Sequence, residues 1–157
     1  MSENNINPDF TVDDISDPKM RVLYEYWLSI KGDKFLPSRA DFEPTKVPQA
    51  LAHITIINVE EDPRRYKLVL VGSANVKAFG SEVTGKYLDE IPLLYSHVND
   101  RYDWLVENKR PYIYHGQLLW SEKTFLDYDM LALPLSSNGT DVDKLIFAGF
   151  YYFPKNI

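Results

Sequence analysis

His53, His97 and His115 are the chain's candidate imidazoles for acid–base or metal chemistry. They fall in separate predicted elements and lack the spacing that brings several ligands to one ion, so no metal site is expected. Asp127 and Asp129 are two apart on a predicted strand, which puts both carboxylates on one face, about 7 Å apart. Paired carboxylates can divide acid and base work. On a strand flanked by lysines and tyrosines, a solvated or salt-bridged face is the simpler reading. Arg39, beside Asp41 and Glu43 in a proline-bounded loop, could hold an anion but reads as an ion pair that pins the loop. There is no cysteine, which removes thiolate catalysis, disulfides and Cys-ligated metal together. No phosphate-binding glycine loop and no nucleophile elbow occurs. These residues make no catalytic constellation, and a non-enzyme is expected.

The elements that would position such groups follow from size and pattern. A chain of 157 residues, 45% hydrophobic and 14% aromatic, fits one domain with a single core. A net charge of −6 argues against a nucleic-acid face and against binding to an anionic membrane. The polar start, MSENNINPDF, lacks the apolar stretch of a signal peptide. No run approaches the roughly 18 apolar residues of a membrane helix. A cytoplasmic protein is expected. Residues 1–16 read as a flexible arm. Asp17 as N-cap and Pro18 at the first helical position begin a helix over 17–31, with Met20, Leu23, Tyr24, Trp27 and Ile30 along one stripe.

Residues 35–48 read as a structured loop, with a small turn capped by Ser38. Residues 54–59 and 65–71 form a strand hairpin about the turn at 61–64. The organising stretch is Arg65 to Pro92, RYKLVLVGSANVKAFGSEVTGKYLDEIP. It alternates as a strand to Val71, breaks at Gly72, makes a short helix with Val76 and Phe79 on one face, and stops at Gly80. Leu94 to Lys109 is the long later helix, with Tyr95, Val98, Tyr102, Leu105 and Val106 sharing a face. Three strands complete the chain: Tyr112 to Trp120, Phe125 to Leu135, and Leu145 to Phe153, with a turn at Asn138-Gly139.

The order strand, "VG", short helix, "FG", "TGK" resembles the core of a PAS sensory domain. LPSRADFEP (Leu36 to Pro44), "VP..L.HI" (Val47 to Ile54) and the upstream Trp27 make it similar to a bacterial PAS subfamily common in alphaproteobacteria, often met as single-domain proteins. The resemblance runs roughly from Lys19 to Tyr152. It implies an α+β PAS fold over 17–157, with a five-stranded antiparallel sheet, small helices over one face and an N-terminal amphipathic helix. It also implies a pocket under the helices, for which Val76, Phe79, Tyr87, Leu88, Tyr102, Leu118, Met130 and Phe147 are the candidate walls. Those side chains read either as close-packed core or as a ligand site, which the tyrosines favour because buried hydroxyls require partners.

The stripe of the 17–31 helix reads either as a cover for the chain's own core or, since helices flanking PAS cores often pair, as an interface; Leu23, Trp27 and Trp104 are the candidate interface residues, and a homodimer or protein partner is expected. Some PAS domains hold haem through a histidine on the long helix. The helical wheel turns His97 away from the Tyr102 stripe, so haem is not expected. Without cysteine, covalent flavin is not expected either. The function implied is a stand-alone sensory or adaptor domain that binds a small molecule or partner and signals in trans. The alternative is a small α+β cone enzyme of isomerase or dehydratase type acting on a small apolar substrate. Such cones place their long helices before most strands, whereas a hairpin here precedes the small helices.

Overall fold

The computed structural model describes residues 6–119, 122–123 and 126–153. Helix α1 (Pro18–Lys31) begins as its sequence dictates, with the Asp17 carboxylate accepting from the Lys19 and Met20 amides and Pro18 in the first turn. Strands β2 (Ile54–Glu60) and β3 (Arg65–Val71) form the hairpin. Short helix α2 (Ser73–Phe79) and long helix α3 (Pro92–Asn108) follow. Strands β4 (Tyr112–Gln117), β5 (Asp127–Leu135) and β6 (Lys144–Tyr152) close the chain.

The sheet is antiparallel throughout and has six strands rather than five, because Ile6–Asn7 adds a two-residue strand β1. Its order is β1-β4-β5-β6-β2-β3. β1 pairs Ile6 with Tyr114, and Phe10 and Ile15 are buried just behind it. The expectation of a loose arm is therefore corrected for residues 6–16: two apolar side chains and an edge pairing hold them. Residues 1–5 lie outside the described residues.

β5 is buried at every position from Leu131 to Leu135, and β6 from Leu145 to Phe150. A strand buried continuously has both faces covered. Alternation assigns the covers: α2 and α3 lie over the face that presents Thr55, Tyr128, Met130 and Phe147. The start of α1 lies over the face that presents His115, Asp127, Asp129 and Tyr152. α1 turns Met20, Leu23 and Trp27 inward, and the Trp27 indole N–H donates to the Pro134 carbonyl at 3.1 Å. Leu23 and Trp27 are thus corrected from interface to core, since both are almost wholly buried within this chain.

Two close approaches fix the small helices. A Cβ on Gly72 would sit 2.4 Å from the Ala52 carbonyl oxygen, so only glycine lets the start of α2 lie on the 3-10 segment Pro48–His53. Gly85, at φ +89, turns the chain back so that Lys67 bridges Tyr87 and covers the outer edge of β3. The LPSRADFEP loop is a reciprocal cap between Ser38 and Asp41, and its Pro37 carbonyl accepts from the Ser136 amide at 2.9 Å. Its ion pair is Lys34 with Asp41 at 2.6 Å, not Arg39 with Asp41. Arg39 instead donates to the Phe42 carbonyl. β4 ends at Gln117, before the expected Trp120; Trp120 and Phe125, the expected ends of two strands, lie outside the described residues.

Candidate functional site

Beneath α2 and α3 the sheet encloses a cavity of about 30 Å³. Tyr102, Tyr112, Tyr128 and Tyr151 line it, and Tyr114 lies beside it on the same face of the sheet. Tyr114, Tyr128 and Tyr151 come from three neighbouring strands and lie in a row, with ring centroids 5.5 and 6.0 Å apart. Glycines make this possible. A Cβ on Gly116 would meet the Tyr114 phenol at 2.7 Å, and one on Gly149 the Tyr151 hydroxyl at 2.4 Å. Each phenol therefore lies along the sheet over a glycine two residues away.

Polar side chains from the helices meet these tyrosines. Asn75 on α2 is almost fully buried and completely used. Its amide donates to the His53 carbonyl at 2.8 Å and to the Thr55 hydroxyl at 2.6 Å, and its oxygen accepts from Tyr151 at 2.8 Å. Arg101 on α3 is 4% exposed. It donates to the Tyr128 hydroxyl at 2.9 Å and to the His97 carbonyl at 3.1 Å, and its guanidinium lies 3.9 Å from the Tyr114 ring centre. Burial works against the Arg101 cation and the tyrosines around it, Tyr128 first, act the other way, with the net direction of its pKa upward; none of them supplies a counter-charge at neutral pH. Burial pushes the Tyr102 and Tyr112 phenols up, so both stay protonated at neutral pH. The apolar wall is Phe79, Leu94, Val98, Met130 and Phe147, with Tyr102 stacked on Phe147 at 4.4 Å.

Of the eight wall residues expected from sequence, Phe79, Tyr102, Met130 and Phe147 line this cavity. Val76 does not; the inward positions of α2 are Asn75 and Ala78, one residue out of step. Tyr87 sits at the sheet edge, donating to the Glu60 carboxylate with Arg65 against its ring at 3.7 Å. Leu88 and Leu118 are buried core away from the cavity. Sequence reasoning left Thr55, Asn75, Leu94, Val98, Arg101, Tyr112, Tyr128 and Tyr151 out of the wall. Arg101 carried a signal, because it interrupts the apolar stripe of α3 between Val98 and Tyr102. Tyr95, placed on that stripe, is exposed, and Leu94 takes its place. His97 is half-buried and its Nδ1 contacts the Leu93 carbonyl at 2.9 Å. Trp104 is half-buried, edge-on to Tyr112.

A second polar group lies on the opposite face. His115 Nδ1 is 2.7 Å from Asp129, and the Tyr152 hydroxyl donates to the same carboxylate at 2.9 Å. Burial first, then Asp129, push the Tyr152 phenol up. That phenol stays protonated and cannot serve as a base. The cluster sits in an open groove with an exposed imidazole. Among the described residues no three metal-ligating side chains converge, and no helix is long and apolar enough to cross a membrane.

A sequence profile described as PAS domain matches residues 15–150. No curated protein matches the chain significantly. Among solved structures, the chain is similar to the PAS domain of Bordetella pertussis BvgS, at 12% identity and a TM-score of 0.51, over 85% of this chain and 88% of that one. It is also similar to a sensory box sensor histidine kinase from Vibrio cholerae, at 14% identity and a TM-score of 0.46, over 68% of this chain and 84% of that one. At such identities a likeness concerns the fold alone.

Proposed function

The chain belongs to the PAS domain family, and from that premise we propose that it is a sensory or adaptor domain that binds a small molecule beneath α2 and α3 and signals in trans through protein contacts. The observation that carries this reading is the cavity itself. A domain that needed only to fold would fill that space with apolar side chains. Here hydrogen-bonding groups and a buried arginine converge on it instead. An apolar wall with a few convergent polar groups is the usual lining of a ligand site, here around a space far smaller than a drug-sized pocket. The volume of about 30 Å³ holds one or two water-sized groups, which suits a ligand of a few heavy atoms. Binding there touches α2, α3 and four strands at once, so occupancy is transmitted to the helices.

Native mass spectrometry of freshly purified full-length chain tests the reading. Excess mass released on denaturation, and reduced in Tyr102→Leu, supports a ligand held in this cavity. Bare protein in both wild type and variant, with partner binding unaltered by the substitution, overturns it.

A further inference from the structure

Arg101 is the buried group the fold does not fully use. Its Nη atoms are bonded, but its Nε is buried without a hydrogen-bond partner. No carboxylate pairs with Arg101 among the described residues. Its surroundings are phenols, amides and apolar side chains, and Arg101 is one of the residues that line the cavity. A cation taken out of water without a counter-charge is strongly unfavourable. A water molecule would pair Nε but bring no charge.

We propose that the cavity at Arg101 binds a small carboxylate monoanion, formate or acetate in size, with its charge against the guanidinium and its carbon against the apolar wall. This rests on the reading of the cavity as a sensory pocket and names the ligand class for it. The volume of about 30 Å³ sets the upper size. Phe79, Val98 and Phe147 supply the apolar contact. A charge-assisted bond to Nε satisfies the orphaned donor and the buried charge together.

The test uses the full chain in gluconate buffer at fixed ionic strength, titrated separately with sodium formate, acetate, butyrate and chloride. The readout is the NMR signal of the Arg101 Nε–H, together with the thermal midpoint. Formate or acetate is expected to shift that signal saturably and raise the midpoint, and butyrate to do neither. Arg101→Met, which keeps an unbranched chain, is expected to weaken acetate binding at least about tenfold. If Arg101→Met fails to fold, the wild-type Nε–H signal and the size series decide alone. No saturable response to formate or acetate, a response to chloride only, or equal affinity in a folded Arg101→Met each overturns the proposal. A neutral ligand recovered by native mass spectrometry overturns the anion and leaves the sensory reading standing. A cavity that no compound occupies overturns both.

Discussion

Replacing Trp27 with phenylalanine separates a core helix from an interface helix. The indole is 2% exposed, and its N–H donates to the Pro134 carbonyl, a backbone group of β5. Phenylalanine removes the donor and leaves that carbonyl unpaired, a cost of about 1–3 kcal/mol for a buried acceptor. The smaller ring leaves space that adds about 1 kcal/mol. Trp27→Phe should therefore destabilise the domain by about 2–4 kcal/mol. At about 2–4 °C per kcal/mol for a domain of this size, the thermal midpoint should fall by roughly 4–16 °C. Urea unfolding is the assay, with light scattering on the same samples. The slope should be unchanged, the midpoint lower, and the shift independent of protein concentration. A variant within about 0.5 kcal/mol of wild type, the range of ordinary surface changes, would refute the reasoning. So would a fall in oligomeric mass at unchanged monomer stability, because that is how an interface residue behaves.

Gly72→Ala forces a methyl against the Ala52 backbone, where the nearest oxygen would be 2.4 Å away. It should cost about 2 kcal/mol or more and appear as faster hydrogen exchange in α2. An α2 unchanged in exchange would count against the packing described. Asp41 is held down to about 2 from an ordinary 3.8, chiefly by Lys34 and then by its hydrogen bonds with Ser38. A depressed carboxylate contributes stability above its unfolded pKa and loses it as pH falls through its folded one. The loss should therefore fall between about pH 4 and pH 2. Asp41→Asn should flatten the midpoint's pH dependence in that window, and an unchanged acid limb would exclude a role for Asp41 there.

The sheet and its helices were legible because periodicity and punctuation agree. Asp17-Pro18 opens α1, Gly72 and Gly80 bracket α2, and the hairpin turn falls between a continuous apolar run and an alternating one. β1 was not legible, since two residues carry no period, and the pairing of Ile6 with Tyr114 is a contact across more than a hundred residues. The same limit hid Trp27, whose stripe reads alike whether it covers a sheet or a partner. The site was half legible. Phe79, Tyr102, Met130 and Phe147 follow from alternation and helical spacing. Tyr87 was misplaced because its bridge to Lys67 depends on how the chain returns to the β3 edge. Asn75 and Arg101 were passed over as polar residues on amphipathic helices. Their positions one turn from Phe79 and Leu105 were the available signal.

Hydrogen–deuterium exchange on the full chain, as purified and after unfolding, dialysis and refolding, tests the central claim of an occupied, transmitting cavity most directly. The account predicts slower exchange in the as-purified protein at the amides of α2 and α3, with the edge segment at 85–87 unchanged. Identical exchange in the two preparations, or slowing confined to elements away from the cavity, would contradict it.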